Sequence, residues 1–213
     1  MTSPLSAAVI YSENFSSTTL ADKPNSYLGG YYGSHVSFGE WVRSGSTVSV
    51  SGGNLQVGSD SGFRGAALLL SPSSFPSAGT YTLTFDVLSY TGDANDTATV
   101  AIWSGSGYDM TNSSANSLIL NTQTGQLQAL GSATSSQLSS TTYSAAGTCS
   151  VNFTYDGSST IALFFAATTG GYPFPTVKYD NLSITSPSPV PETSVPMILG
   201  VAASFGLLRR RRP

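Results

Sequence analysis

The chain has few of the residues from which catalytic sites and disulfide-stabilised domains are built. Its 213 residues include one cysteine, Cys149, and one histidine, His35. A single cysteine excludes an intrachain disulfide and a Cys-x-x-Cys metal site. No Gly-x-Ser-x-Gly elbow accompanies His35, because Gly58–Gly62 has aspartate at its centre. We therefore do not expect an enzyme.

Charge is also scarce, at 9% of residues where about 25% is typical, and 38 serines and 24 threonines supply polarity instead. Four of the eight basic residues are consecutive at the C-terminus, so residues 1–208 carry four basic and eleven acidic residues, a net charge of −7. An acidic body without a basic patch excludes a typical nucleic-acid binder. Within residues 9–185, Glu13 and Glu40 are the only glutamates and form no acidic cluster, which disfavours a glycoside hydrolase.

The last 28 residues differ in composition from the rest of the chain. Residues 186–194 are a Pro/Ser-rich linker, and residues 195–208 read VPMILGVAASFGLL without a charge. As a helix this segment is about 21 Å long, shorter than a hydrocarbon core of about 30 Å, and it would suit a buried core helix equally. We predict a short transmembrane helix over 195–208 and a cytoplasmic tail over 209–213.

The residues that favour the membrane are the four arginines after the apolar segment. Arginines fix the cytoplasmic side of a span, and their long side chains snorkel to extend it. We therefore predict that the membrane stop consists of Arg209, Arg210, Arg211 and Arg212.

The motif Val190, Pro191 and Glu192, the apolar segment and the terminal arginines together resemble the PEP-CTERM sorting signal of bacterial exported proteins, over residues 189–213. That family usually has Pro-Glu-Pro, and Thr193 replaces the second proline here. The resemblance implies export, transient anchoring with the N-terminal domain outside, and processing by an exosortase-type membrane protease. The implied destination is the cell surface or an exopolysaccharide matrix.

The first eight residues contain small side chains that resemble the end of a secretory signal, with a cleavage point near Ala8. The basic and apolar regions that precede such a site are absent. We interpret residues 1–8 as the remnant of a signal peptide. The alternative is that they are disordered residues before the first strand.

The body, residues 9–185, shows period-two alternation and short β-branched or aromatic runs, with no capped helical pattern. We predict an all-β, jelly-roll-like β-sandwich, with a tight hairpin at Asp156-Gly157-Ser158. The predicted strands are Val9–Phe15, Thr47–Ser51, Asn54–Val57, Ala66–Leu70, Thr80–Ser89, Ala98–Trp103, Ser117–Asn121, Gln126–Ala129, Cys149–Tyr155, Thr160–Ala166 and Thr176–Thr185.

An opening strand with Glu13-Asn14-Phe15, a central Tyr81–Val87 strand and a closing Tyr179–Ile184 strand resemble the jelly roll of carbohydrate-binding modules. The resemblance implies that the first and last strands pair, and that Glu13 and Asp180 help to hold a structural calcium. Carbonyls and water would have to complete the six to eight oxygen ligands. The alternative is that Asp180 bonds the local backbone, as Asp-Asn pairs commonly do.

Aromatic residues in or beside glycine-rich loops are the candidates for ligand binding, because exposed rings stack on sugars. We favour Tyr31, Tyr32 and Tyr172, which follow Gly29-Gly30 and Gly170-Gly171. Trp41 and Trp103 suit core positions equally well. The other aromatic residues in such loops are Tyr27, Tyr108 and Phe174.

From the sequence we expect an exported, non-enzymatic protein of the cell surface or matrix with a structural or adhesive role. The alternative is a carbohydrate-binding module that recognises exopolysaccharide. The expected partners are the exosortase-type protease, the membrane through the C-terminal helix, and polysaccharide in the alternative. The one cofactor that the resemblance implies is the structural calcium.

Overall fold

The computed structural model describes residues 7–29, 34–59, 63–92, 96–110, 116–168 and 175–187. Within these ranges the regular structure is β-strand apart from one 3-10 turn, Pro72–Ser74, so the all-β prediction is confirmed. Residues 8–187 form one compact unit. None of the described ranges contains a helix that could cross a membrane.

The predicted sorting signal lies outside the described residues. This applies to its motif, to its apolar segment and to its membrane stop, so the transmembrane helix and the tail stay predictions. The residues concerned are Val190, Pro191, Glu192, residues 195–208, Arg209, Arg210, Arg211 and Arg212.

Sheet A has six strands in the order β14-β9-β16-β7-β6, with β1 pairing beside β7 on the far half of β16. Numbered in chain order, they are β1 (Val9–Glu13), β6 (Val48–Ser51), β7 (Asn54–Gly58), β9 (Gly79–Thr91), β14 (Gly147–Tyr155) and β16 (Thr176–Thr185). The predicted pairing of first and last strands is confirmed, since β1 runs antiparallel to β16.

Sheet B has six strands in the order β13-β10-β15-β8-β5-β2. They are β2 (Leu20–Asp22), β5 (Trp41–Arg43), β8 (Phe63–Leu70), β10 (Thr97–Ser106), β13 (Thr134–Tyr143) and β15 (Thr160–Thr168). The pairings are antiparallel except for β2 with β5.

Sheet C has four strands in the order β12-β11-β3-β4. They are β3 (Asn25–Leu28), β4 (Ser34–His35), β11 (Ser117–Asn121) and β12 (Gln126–Leu130). Strands β3 and β4 run parallel, and the other two pairings are antiparallel.

The main core lies between sheets A and B. Phe165 of sheet B packs edge-on against Phe85 and Tyr179 of sheet A, with ring centroids 5.7 Å and 5.1 Å apart. These rings are buried together with the inward aliphatic side chains of both sheets. This core confirms the predicted sandwich.

A second core lies between sheets B and C. Ala67, Leu69 and Phe164 of sheet B are buried against Leu118 and Leu120 of sheet C. Strand β15 is therefore buried on both faces, and eight of its nine residues are inaccessible. Sheet C therefore forms a third layer over sheet B, which the sequence analysis did not predict.

The turn at Asp156-Gly157-Ser158 connects strands of different sheets. Strand β14 pairs with β9 in sheet A, whereas β15 pairs with β10 and β8 in sheet B. The predicted hairpin there was wrong, because the turn crosses from one layer to the other. The turn between Ser51 and Asn54 does form a hairpin, joining β6 to β7.

The two ends of the body are joined by reciprocal hydrogen bonds. The amide of Ala8 donates to Ser186 Oγ at 3.1 Å, and the amide of Ser186 donates to the carbonyl of Ala8 at 2.8 Å. Val9 pairs with Thr185 immediately inside this contact. The first and last described strands therefore begin and end side by side.

Candidate functional site

The turn Val36–Glu40, which we call the Phe38 turn, presents an aromatic ring to solvent. Phe38 is 38% accessible, and it is the one exposed aromatic side chain among those the structure describes. Its neighbour Val36 is buried in the second core. The turn is therefore anchored in the core by Val36 and presents the apolar ring of Phe38 to solvent.

A network around Lys23 fixes the Phe38 turn. Lys23 Nζ donates to the carbonyl of His35 at 2.7 Å and to Glu40 Oε1 at 2.5 Å. Glu40 Oε2 accepts from the amide of Ser37 at 2.9 Å. The amide of Gly39, whose φ of +81° suits glycine, donates to the carbonyl of Leu69 at 2.8 Å. The backbone that carries the Phe38 ring is thus fixed by hydrogen bonds to Lys23, to Glu40 and to Leu69.

The charges beside Phe38 balance each other, because Lys23 and Glu40 form a salt bridge. Desolvation by burial acts to raise the pKa of Glu40, but hydrogen bonds from Lys23 and the Ser37 amide outweigh it and lower the pKa. Glu40 therefore stays ionised near neutral pH, and the pair contributes no net charge.

The loop with Tyr31 and Tyr32 is rooted beside the Phe38 turn. The two tyrosines lie outside the described residues, but the flanking strands β3 and β4 are described. Gly29, with φ +78°, ends that segment, and a β-carbon there would lie 2.8 Å from the carbonyl oxygen of Asp109. The next residue along from Asp109, Met110, is 60% exposed.

The loop with Tyr172 is rooted at the other end of sheet B. Tyr172 lies outside the described residues, between Thr168 at the end of β15 and Pro175. The Phe38 turn is bonded to Leu69, which pairs with Ala162 near the start of β15. The six residue steps from Ala162 to Thr168 span about 20 Å at roughly 3.4 Å each. The Tyr31–Tyr32 loop and the Tyr172 loop are therefore attached at opposite ends of sheet B.

Three of the other predicted aromatic residues, Trp41, Trp103 and Tyr108, have contacts within the fold, and Phe174 lies outside the described residues. Trp41 is 3% accessible, and its ring centroid lies 5.4 Å from that of Phe15. Trp103 packs against the second core, with Nε1 buried and without a partner among the described residues. The Tyr108 hydroxyl is 2.9 Å from Thr160 Oγ1. The core alternative is confirmed for Trp41.

Glu13 lies beside a cavity between β1 and β16, which we call the corner cavity. It has a volume of about 340 Å³ and is lined by Ser12, Glu13, Asn14, Asn181, Leu182 and Ser183. Glu13 Oε1 accepts from the amide of Phe15 at 2.8 Å. Phe15 (φ +55°) and Asn181 (φ +51°) are the two non-glycine residues with left-handed backbone in the described part of the chain. Such strain is commonly found at functional sites.

Asp180 is next to the corner cavity in sequence but does not line it. Its Oδ1 accepts from the amide of Asn181 at 2.7 Å, which is the local backbone contact of the alternative interpretation. Asp180 also lies opposite Asp86 on β9, and Asn181 Nδ2 donates to Asp86 Oδ2 at 2.8 Å. No group of three or more metal-ligating side chains occurs in the described ranges. The calcium site at Glu13 and Asp180 stays a prediction.

Six of the eight residues that line a smaller groove of about 190 Å³ are serines or threonines. Asp156 Oδ1 accepts from the amides of Ser158 and Ser159 at 2.8 Å each, and Ser159 Oγ donates to Oδ2 at 2.5 Å. The Ser159 hydroxyl bond is the largest of the effects that lower the pKa of Asp156. The polar groups of Asp156 and Ser159 are therefore used to stabilise the turn between β14 and β15. We assign no ligand to this groove.

Phe38 was not among the residues predicted from the sequence. The signal was available, because Phe38 precedes Gly39 as Tyr172 follows Gly171, and it lies six residues after Tyr32. What the pattern does not contain is the Lys23–Glu40 contact, which joins residues 17 positions apart.

Comparison with known proteins gives distant structural neighbours only. No family model and no curated protein matches the chain. The C-terminal family 22 carbohydrate-binding module of Clostridium thermocellum Xyn10B shares 13% identity, covering 84% of this chain and 94% of that one, with a TM-score of 0.42. The CBM22-2 xylan-binding domain of Paenibacillus barcinonensis Xyn10C shares 11% identity, covering 84% and 99%, with a TM-score of 0.47.

A third neighbour is the K3 adhesin domain of Lys-gingipain from Porphyromonas gingivalis. It shares 14% identity, covering 84% of this chain and all of that one, with a TM-score of 0.35. At such identities and TM-scores the likeness assigns no functional residue in this chain. The Phe38 turn is therefore the candidate functional site in the described part of the chain.

Proposed function

We propose that this chain is an exported, non-catalytic, polysaccharide-binding β-sandwich, and that it binds at the Phe38 turn together with the Tyr31–Tyr32 loop. The single observation that carries the proposal is the exposed Phe38 ring on a turn fixed by Lys23 and Glu40. A fixed aromatic ring loses little conformational entropy when a ligand stacks on it.

The chemistry of the turn suits a neutral sugar polymer. The Phe38 ring offers an apolar face, and Lys23, Ser37 and Glu40 beside it offer hydrogen-bonding groups for hydroxyls. The Lys23–Glu40 pair cancels its own charge, while the acidic body repels polyanions. We therefore expect neutral polysaccharides to bind better than acidic ones.

The proposal includes export and anchoring by the PEP-CTERM-like signal at residues 189–213, with an exosortase-type protease as partner. It rests on the order of motif, apolar segment and arginines in the sequence. The test is the intact mass of the native protein from the cell-surface fraction. A species ending near Pro191 supports processing, and a soluble cytoplasmic species that retains Arg209–Arg212 would overturn it.

Binding is tested with a panel of neutral and acidic polysaccharides in affinity electrophoresis. Phe38→Ala should weaken binding by about 5- to 30-fold, the effect of removing a contact worth 1–2 kcal/mol. The matched control is Leu88→Ala, which removes a comparably exposed apolar side chain (46%) from sheet A. The control should bind like the parent protein.

Two results would contradict the proposal. If the parent binds no polysaccharide, the structural or adhesive role becomes the better explanation. If the parent binds and Tyr172→Ala abolishes binding while Phe38→Ala does not, the site lies at the opposite end of sheet B. Equal losses in Phe38→Ala and Leu88→Ala would indicate a general loss of fold.

A further inference from the structure

One edge of sheet A lacks the features that normally prevent strands from pairing between molecules. Strand β14 pairs only with β9, so its other edge carries backbone donors and acceptors without a strand partner in the described chain. Its nine residues keep an unbroken register with β9. A long, regular edge strand of this kind is a template for pairing with another chain.

Every other edge strand of the described sheets is shorter than β14 or has a register shift. Strand β13, the edge of sheet B on the same side, has a register shift at Leu138, where Ile102 pairs with Ser139 and Trp103 with Gln137. Strand β6 at the far edge of sheet A has four residues, and β2 and β4 have three and two. Short or bulged edges pair poorly. Strand β12 at the edge of sheet C has five residues without a register shift, so β14, with nine, is the longest unbroken edge strand of the described sheets.

Charge gives no protection to β14 either. No charged residue occurs between Asp109 and Asp156, and β14 contains no proline. Lysine and proline are the usual means of blocking an edge strand. A neutral edge suits a second neutral edge, so two copies of this acidic body can approach here without facing charges.

The side-chain pattern of β14 is complementary to itself about a two-fold axis. Antiparallel pairing centred on Val151 places Ser150 opposite Asn152 of the second copy on the outer face. On the inner face it places Cys149 opposite Phe153, next to the paired Val151 side chains. Polar groups thus meet polar groups and apolar groups meet apolar groups, as in natural antiparallel pairs.

We propose that the chain forms a homodimer by antiparallel pairing of β14 with β14 of a second copy, which joins two copies of sheet A into one continuous sheet. Such an interface is isologous and closes on itself. It is independent of the polysaccharide site, because β14 contributes no residue to the Phe38 turn.

The test is the mass of the full chain by sedimentation velocity, with paired charge variants. Ser150→Lys with Asn152→Lys places lysines opposite lysines and should halve the observed mass, and Ser150→Glu with Asn152→Glu should do the same. An equimolar mixture of the two variants should restore the dimer. The matched control, Ser49→Lys with Ser51→Lys, adds the same charge on β6 and should remain dimeric.

Hydrogen exchange supplies a readout without substitutions. Pairing should slow the exchange of residues 147–155 with rising protein concentration, while residues 48–51 stay unchanged. A parent protein that remains monomeric at its solubility limit would overturn the proposal. A dimer that persists in both charge variants would overturn it as well. Such a dimer would have to form elsewhere, for example through the apolar residues 195–208, which both variants retain.

Discussion

Sheets A and B share one core but differ in what covers their outer faces. Strand β14 of sheet A alternates between buried and exposed residues, and its outward side chains are Thr148, Ser150, Asn152 and Thr154. Strand β15 of sheet B is buried at eight of nine positions, because sheet C covers its second face. The difference shows how much a third layer changes the amino-acid pattern that a strand requires.

Alternating polar and apolar residues indicate a strand with one face in solvent. A continuous apolar run indicates a strand that is buried on both faces. Phe164 and Phe165 are neighbours in β15 and belong to different cores. In a two-layer sandwich one of them would face solvent. The pair therefore offers a direct way to test whether the third layer is present in solution.

The largest expected effect is that of removing Phe164. Phe164→Ala should cost about 3–5 kcal/mol of unfolding free energy, as much as Phe165→Ala, because both rings are buried. Urea denaturation of the two variants measures this. A loss below about 0.5 kcal/mol for Phe164→Ala alone would mean that sheet C does not cover sheet B in solution.

The second prediction concerns calcium binding by Glu13 and Asp180, at and next to the corner cavity of sheet A. If Glu13 and Asp180 hold calcium, free calcium at a hundredfold excess over its dissociation constant should add about 2.7 kcal/mol of stability to chelator-treated protein. The melting temperature measures the gain. Glu13→Gln with Asp180→Asn should remove the gain. An unchanged melting temperature in the parent would show that these carboxylates bind no calcium and accept hydrogen bonds from the local backbone instead.

Gly105 tests how tightly sheet C packs on sheet B. A β-carbon there would lie 2.5 Å from Leu118 Cδ1 and 2.8 Å from Leu127 Cδ2. Gly105→Ala should therefore cost about 1–3 kcal/mol through overpacking. Gly53→Ala is a sheet A comparison with no atom within 4 Å of the new carbon, though its positive φ adds backbone strain. A neutral Gly105→Ala would indicate that sheet C shifts easily.

The smallest effect is expected on the wet face of sheet A. Hydrogen bonds from Asn181 and then Thr148 lower the pKa of Asp86. A carboxyl whose pKa falls on folding stabilises the fold above its unfolded pKa of about 3.9, and that stability is lost as pH falls through the folded pKa. Because Asp86 is only partly buried, on the outer face of sheet A, the contribution is small.

Asn181→Gly keeps the left-handed backbone and removes the amide that bonds Asp86. The pKa of Asp86 should rise toward its ordinary value in a carboxyl NMR titration. Asp156, whose pKa is lowered chiefly by Ser159, is the internal control and should not change. A constant Asp86 pKa would show that the amide contact does not persist in solution.

The strands that alternate or run apolar could be predicted from the sequence, and each of the eleven predicted segments falls mainly on an observed strand. Strand β13 could not, because TSSQLSSTTY has the composition of a polar loop and owes its extended form to pairing with β10. The short strands β2–β5 also depend on distant partners. The local signal in them is too brief to recognise.

The candidate site was predictable only in part. The glycine-flanked aromatic rule led to the prediction of a site at the Tyr31–Tyr32 loop, which stays a prediction, and the described flanks of that loop lie beside the Phe38 turn. It could not show that Lys23 reaches Glu40, or that the Tyr172 loop is rooted at the far end of β15. Both facts depend on sheet order, which no local pattern contains.

The reciprocal contact between Ala8 and Ser186 has a mechanical consequence. Because Val9 pairs with Thr185 just inside it, tension applied across the two ends of the body would load the β1–β16 hydrogen bonds one pair at a time. Separation would therefore begin at low force as an unzipping of β1. If the body is instead tethered through residue 187 alone, and a ligand bound as proposed pulls on the Phe38 turn, the load passes from that turn to the end of β16. The free N-terminal end of β1 then carries no load, so the unzipping from Ala8 is not driven.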